Sequence, residues 1–324
     1  MIIKGQNILV TGGAGFVGSH LSERLLEEGA NVRILDNFYT GDIRNLDNII
    51  GKVELIEGDI RDNDTVNSAM NGIDIVFHEA AQINPAKAVE DPMYDFGINV
   101  TGTLNLLFAA HKKKVNKFIM ASTNVYGNAS VKNMKEEYST LFEPYSLLSP
   151  YAAAKVSAEA YLKVANDEFK LPTVRLRYTN IYGPRQLSKS ESGVIAIFVR
   201  NALNDQPINI FGDGTHMRDF IFISDVIEAN ILAAQREEAN GAVFNVGTGV
   251  ETSIKELAEM VQIQTGTNVP IKYVEKRAAD FKRVKADLNH IQKELGFYPK
   301  IKFSDGLKIY IDWCKINFSR LSVL

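Results

Sequence analysis

The residues with the most evident chemical use are Tyr151 and Lys155, at either end of Tyr151-Ala152-Ala153-Ala154-Lys155. Ser149-Pro150 ahead of them reads as a helix start, and on a helix an i, i+4 pair shares one face. Free tyrosine has a pKa near ~10 and is a poor base at neutral pH. A nearby ammonium favours the phenolate, and bringing the phenol down to ~7 corresponds to ~4 kcal/mol of charge stabilisation. Such a phenolate can take the proton of a hydroxyl while hydride leaves the same carbon. A second hydroxyl would bridge the substrate oxygen and the phenol. The apolar run 117–121 leads into Ser122-Thr123-Asn124-Val125-Tyr126-Gly127, so Ser122 and Thr123 are both candidates. The ordinary alternative for each is a hydroxyl that caps the loop backbone.

Hydride needs an acceptor, and the N-terminal residues form a place for one. A short apolar run ends in Thr11-Gly12-Gly13-Ala14-Gly15-Phe16-Val17-Gly18 and a helical pattern follows. Gly12, Gly15 and Gly18 permit a tight turn and a close backbone approach to a pyrophosphate, which the helix N-terminus attracts. The next strand ends in Asp36, about 20 positions on, where an acid accepts hydrogen bonds from ribose hydroxyls. A carboxylate there repels a 2′-phosphate, so the pattern favours NAD over NADP. Asp59, in Gly58-Asp59-Ile60, is placed to accept from the adenine amino group.

These residues need a frame. Strands are expected at 7–10, 32–36, 53–56, 73–78, 117–121 and 173–177, rich in Ile, Val, Leu and Phe as parallel strands buried on both faces should be. Helical patterns at 19–28, 103–112 and 151–169 alternate with them. The β-α-β repetition predicts an α/β fold, a doubly wound parallel sheet of the Rossmann type over residues 1–180. Beyond about Asn180 the loops become rich in Gly, Pro and polar residues. A smaller C-terminal substrate domain is expected over 181–324, with parts of 217–247 returning to the first domain.

The 324 residues carry a formal net charge of −3 and one cysteine, Cys314. Neither a basic nucleic-acid stripe nor a Cys/His zinc pattern is legible, and no apolar run approaches ~18 residues. A strand pattern begins almost at once, without a signal-peptide pattern. The expectation is a soluble cytoplasmic protein without metal, nucleic-acid or membrane partners. The apolar content of 103–112 and 151–169 exceeds what one sheet face covers, which predicts a homodimer.

Taken together, the motifs TGGAGFVGSH (11–20), DNFYTG (36–41), GDIRD (58–62), HEAAQ (78–82), NVTGT (99–103), STNVYG (122–127), SPYAAAK (149–155), RYTNIYGPRQ (177–186), GDGTHMRDFIFISDV (212–226) and RAADFKRVKAD (277–287) resemble the NAD-dependent epimerase/dehydratase family of extended short-chain dehydrogenases/reductases. The resemblance covers essentially the whole chain and is greatest to UDP-hexose 4-epimerases. It implies that Phe16 and Val17 lie over the pyrophosphate and that Asn37, Phe38, Thr40 and Gly41 surround the adenosine ribose. By the same resemblance Ile60 lies at the adenine, and Ala80, Ala81 and Gln82 line cofactor and sugar. Asn99 lies beside the dinucleotide and Tyr178 near the nicotinamide. Asn180, Arg218 and Arg277 would grip the nucleotide diphosphate, Asp280 the nucleoside or sugar, and Val284 would border the sugar C2 substituent.

Three departures from the family pattern stand out: Glu79 replaces Leu, Thr179 replaces Phe, and Ala278-Ala279 replaces Pro-Gly. The resembling 4,6-dehydratases carry an Asp-Glu pair before VYG and the decarboxylases a Glu, whereas this chain has Thr123-Asn124. With no acid there to expel water, return of hydride to the other face of the ketone is the simplest outcome. The expected activity is NAD-dependent 4-epimerisation of a UDP-hexose, N-acetylated sugars included. The alternatives are another reaction that begins by C4 oxidation and, on the same fold, a non-catalytic NAD sensor.

Overall fold

The computed structural model describes residues 2–126, 133–138, 149–186, 193–275, 283 and 285–317. β1 (Asn7–Thr11) feeds α1 (Phe16–Glu27), and β2 (Asn31–Asp36), β3 (Glu54–Glu57), α2 (Asn63–Ala69) and β4 (Ile75–His78) follow. The short helices α3 (Pro85–Glu90) and α4 (Pro92–Phe96) run through a π-helical segment, Gly97–Gly102, into α5 (Thr103–Lys113). Next come β5 (Lys117–Thr123), α6 (Pro150–Asp167), β6 (Thr173–Tyr178), β7 (Asn180–Tyr182) and α7 (Val194–Leu203). The rest is β8 (Ile208–Phe211), β9 (Met217–Phe222), α8 (Ile223–Gln235), β10 (Val243–Val246), β11 (Glu251–Ser253), α9 (Ile254–Thr265), β12 (Ile271–Val274), α10 (Asn289–Leu295) and α11 (Phe303–Ile316).

Seven strands form one parallel sheet in the order β10-β6-β5-β4-β1-β2-β3. Order reverses at β1, so the carboxyl ends of β1 and β4 open a crevice there. Alternate strand residues face opposite sides and both sides are buried. Ile8, Val10, Ile34 and Phe77 join a core with Leu21 and Leu25 of α1 and Ala229 and Ala233 of α8. Leu9, Leu35, Val76 and Met120 join a second core with Val66, Leu106, Leu107 and Leu162 of α2, α5 and α6. The expected doubly wound sheet is thus present. A three-stranded sheet, β11-β9-β7, and a two-stranded sheet, β12-β8, complete the described strands.

Three features differ from the sequence expectation. The first helix starts at Phe16 instead of 19, with Gly18 inside its first turn, because Gly15 serves as the N-cap. The strands after β6 are not among those expected, and one of them, β10, belongs to the main sheet. In β10, Asn245 interrupts the apolar run, yet is buried and donates to the Met134 carbonyl at 2.7 Å. The π-helical turn ahead of α5 has no period that a 3.6-residue pattern detects.

One buried ion pair ties helix to sheet. Arg177 on β6 meets Glu159 on α6 through Nε (2.9 Å to Oε1) and Nη2 (2.5 Å to Oε2), with side-chain exposures of 4% and 7%. Ser122 on β5 donates to the same carboxylate at 2.5 Å, and Arg177 Nη1 donates to the Tyr126 hydroxyl at 3.1 Å. Removing one partner strands a buried charge, which costs about 3–5 kcal/mol, whereas replacing both with apolar groups costs far less. Glu159→Gln and Arg177→Met should each lower unfolding free energy by about that amount, and the double variant Glu159→Leu/Arg177→Met by less than the sum. Urea titrations followed by circular dichroism check this; additive losses would mean that the two charges do not depend on each other.

Candidate active site

A cavity of about 390 Å³ runs along the carboxyl ends of β2, β1, β4, β5 and β6. At its centre is the glycine turn. Gly12 has φ +68°, and a Cβ there would stand 2.7 Å from the Ala80 nitrogen. A Cβ on Gly18 would collide with the Gly12 carbonyl oxygen. The Gly15 cap offers no side chain to the first N–H groups of α1, which leaves them for an anion in the cavity.

Asp36 sets the shape of that turn. Its Oδ2 accepts from the Ala14 amide at 2.9 Å and its Oδ1 from the Phe38 amide at 2.8 Å. Burial raises its pKa, and those two amides oppose the rise. Each carboxylate oxygen accepts more than one bond, so capacity remains for a diol. Gly41 keeps Oδ1 approachable, since a Cβ there would lie 2.7 Å from it. Asn37, Thr40, Gly41 and Ile60 line this end of the cavity; Phe38 does not, and joins it only through its amide. Asp59 lines it too, with its oxygens already engaged. Asn37 Nδ2 donates to it at 2.9 Å and Arg61 through Nε and Nη2 at 2.9 and 2.8 Å. The Arg61 hydrogen bonds, foremost, hold its carboxyl down at about 2.

Ala80, Ala81 and Gln82 form the next stretch of wall, and a buried polar chain holds them. Thr103 Oγ1 donates to the Asn99 carbonyl at 2.8 Å, so the hydrogen of its contact with His78 Nε2 (2.9 Å) belongs to the ring. His78 Nδ1 then accepts from Thr11 Oγ1 at 2.8 Å. Burial, with Lys155 nearby, drives the His78 pKa down to about 3, so the ring is neutral, as this chain requires. The family pattern puts Asn99 beside the dinucleotide. Instead it is buried behind the loop and outside the cavity lining, where Nδ2 donates to the Gln82 carbonyl at 2.9 Å and Oδ1 accepts from the Gln82 amide at 3.2 Å. It supports the wall because the π-helical turn aims it at that backbone.

At the far end lie Tyr151, Lys155, Thr123, Ser122, Tyr178 and Asn180. Ser149 caps α6 by accepting from the Ala152 amide at 3.2 Å, which starts the helix one residue before Tyr151. Lys155 Nζ donates to the Ala121 carbonyl at 3.1 Å. The structure separates the two candidate hydroxyls. Thr123 hydrogen-bonds the Tyr151 phenol, whereas Ser122, one residue earlier on a pleated strand, bonds Glu159. The lysine does not depress the tyrosine as expected. Burial pushes Tyr151 up to about 12, Thr123 draws it down and Asp95 adds to the rise. Burial lowers Lys155 to about 8, against the carboxyls of Glu79, Asp95 and Glu159.

Arg218, on β9, is outside this cavity lining and donates to the Met217 carbonyl at 2.9 Å. Arg277, Asp280 and Val284 lie outside the described residues. Sequence reasoning assigns no role to Tyr39, Tyr94, Gln186 and Phe220, which stand in the wall; Tyr39, Gln186 and Phe220 lie within the quoted motifs and Tyr94 in none. Glu79, a departure from the family pattern to which the sequence assigns no role, lines the cavity as well. Thr179 Oγ1 and Gln186 Oε1 are buried wall atoms without a hydrogen-bond partner among the described residues, as expected of a site built for a polar ligand.

A glycine turn at a helix N-terminus, an acid at the end of β2 and a Tyr/Lys face on α6 define a dinucleotide-dependent oxidoreductive site on a Rossmann sheet. The model of the NAD dependent epimerase/dehydratase family matches residues 8–247, and the chain belongs to that family. It is 36% identical to the UDP-glucose 4-epimerase of Mycolicibacterium smegmatis over 92% of this chain and 95% of that one. It is 34% identical to the UDP-N-acetyl-alpha-D-glucosaminuronate decarboxylase of Bacillus cytotoxicus over 95% of this chain and 97% of that one. The structure of Thermotoga maritima UDP-glucose 4-epimerase with UDP-glucose superposes with a TM-score of 0.87 at 35% identity, covering 96% of this chain and 99% of that one. The cofactor is NAD. The glycine cradle and the spare acceptor capacity of Asp36 fit it: Gly12, Gly15 and Gly18 would hold the pyrophosphate and Asp36 the ribose.

The Thr123 bond favours the phenolate, so its loss raises the pKa of Tyr151. In Thr123→Val the rising limb of the pH–rate profile should move to higher pH, and for every pH unit it moves the rate at neutral pH should fall about tenfold. Ser122→Ala should leave that limb in place and lower thermal stability instead. Profiles of kcat against pH for both variants check this, and an unmoved limb in Thr123→Val would refute it.

Proposed function

We propose that the protein is a 4-epimerase of UDP-hexoses that also accepts 2-acetamido sugars and acts in the cytoplasm. The observation that carries the reading is the Thr123–Tyr151 hydroxyl pair at one end of a cavity whose other end is cut for a dinucleotide. Thr123 and Tyr151 hold the C4 hydroxyl, and Tyr151, ionised to the phenolate, takes its proton. Lys155 keeps a positive charge under the site. Bound NAD supplies the hydride acceptor and later the hydride donor. Asn180, Arg218 and Arg277 hold the nucleotide diphosphate, and Asp280 the nucleoside or sugar, while the ketone turns, guanidinium suiting phosphate in charge and geometry. Tyr151 then returns the proton to the oxygen as the other face of C4 is reduced. Residues 1–180, with β10 from 217–247, bind the cofactor, and 181–324 bind the sugar nucleotide.

Asn124 before Val125-Tyr126 favours this reading over dehydration or decarboxylation, which require an acid there. The identity to a decarboxylase keeps a second reading, another reaction that begins with C4 oxidation. The two differ in product. Purified protein without added cofactor should equilibrate UDP-glucose with its C4 epimer and UDP-N-acetylglucosamine with its own. Loss of water or carbon dioxide from any UDP-sugar, with no epimer, would sink the assignment. Tyr151→Phe should retain NAD and lose at least ~10²-fold in kcat. Val284→Tyr should lose kcat/KM for the acetamido sugar alone, since overlap with the ring costs about 1–3 kcal/mol; equal loss for both sugars would remove Val284 from the pocket.

We also propose a homodimer. On α5 and α6, Phe108, Tyr161 and Val164 are each more than 40% exposed, a solvent face richer in large apolar groups than a monomer needs. Light scattering should give about twice the chain mass of 36.0 kDa, and Val164→Glu should shift it toward the monomer. A monomeric native protein at micromolar concentration would refute the interface.

A further inference from the structure

Glu79 is the cavity-lining carboxyl for which the reaction outlined above has no use. It follows β4, and its amide donates to the Thr11 carbonyl at 3.1 Å, which fixes it at the sheet edge. Its carboxylate accepts from the Tyr178 hydroxyl at 3.1 Å, and Asn230 Nδ2 donates to that hydroxyl at 2.8 Å. Tyr178 is the strand partner of Thr123, the residue on the Tyr151 phenol. Glu79 therefore stands on the floor of the reacting end, held by a directed hydrogen-bond chain.

The cavity order says what lies over that floor. Ribose acceptors at Asp36 and pyrophosphate donors at the glycine turn leave the other end of the dinucleotide beside Thr123 and Tyr151. Hydride transfer needs its ring within about 3–3.5 Å of the carbon whose hydroxyl they hold. Among the described residues the carboxyls of Glu79, Asp95 and Glu159 act on Lys155, and Glu159 is spent on Arg177, which leaves Glu79 and Asp95 to share one lysine. Burial raises the Glu79 carboxyl to about 7, opposed by the Tyr178 bond and Lys155. An added cation would hold it ionised.

We infer that Glu79 is the counter-charge of the oxidised nicotinamide ring: it stabilises the cationic form over the neutral reduced form and so lowers the reduction potential of the bound cofactor. The inference rests on NAD occupying this cavity as proposed. A more negative potential makes the reduced cofactor a better donor, which favours rapid return of hydride to the 4-keto sugar before that intermediate escapes.

The test uses holoenzyme without any sugar. Native protein, Glu79→Gln, Glu79→Met and Tyr178→Phe are equilibrated with a mediator dye of known potential, and bound NADH is read at 340 nm. Both neutral variants should raise the NADH/NAD ratio at a given potential about tenfold, a shift of about +30 mV for this two-electron couple. Tyr178→Phe keeps the charge and should shift it much less. Two variants guard against one that loses its cofactor or fold. Neutral variants that titrate with the native protein would overturn the inference, as would an equal shift in Tyr178→Phe, which would mark a geometric effect. A potential shift in a protein that does not epimerise UDP-hexoses would leave this inference standing and remove only the proposed reaction.

Discussion

The reacting end of the site depends on the Arg177–Glu159 pair. It is a buried ionic fastening between the helix that carries Tyr151 and Lys155 and the strand that carries Tyr178. Ser122 spends its hydroxyl on the same carboxylate, which locks β5 in register with both. With Ser122 turned to that side, the pleat turns Thr123 to the other, toward the phenol. A structural ion pair on one face of the strand therefore decides which hydroxyl meets Tyr151 on the other.

Burial dominates the electrostatics of this end. Tyr151, Lys155, Glu79 and His78 are all displaced toward their neutral forms by loss of water, ahead of any neighbouring charge. Three carboxyls surround the lysine, so its charge is largely answered before it reaches the phenol. The site is set up for a ligand that brings a positive charge and excludes more water, where each interaction gains strength.

Behind the wall, residues that touch nothing in the cavity hold those that do. Asn99 fixes the backbone of Gln82, and His78 links β1 to the helix through two threonines. Asp36, itself in the wall, holds the glycine turn through Ala14. Support of this kind keeps functional groups within the narrow tolerance that chemistry sets.

The parallel sheet, the dinucleotide turn and the Tyr/Lys face are legible in the chain alone, because each rests on local rules. Buried strands read as apolar runs, glycines are required where a Cβ collides, and an i, i+4 pair shares a helix face wherever the helix goes. Contacts between distant parts of the chain settle the rest. β10 is a strand because β6 pairs with it and because Asn245 finds buried acceptors, which its four residues do not announce. Asn99 supports the wall from behind it because a π-helical turn re-aims it. Ser122 and Thr123 are chemically alike and adjacent, and only the carboxylate 37 residues further on separates them. Glu79 in HEAAQ is one more acid in the sequence; the strand order places it beside Tyr178 and Lys155, where its charge has an effect.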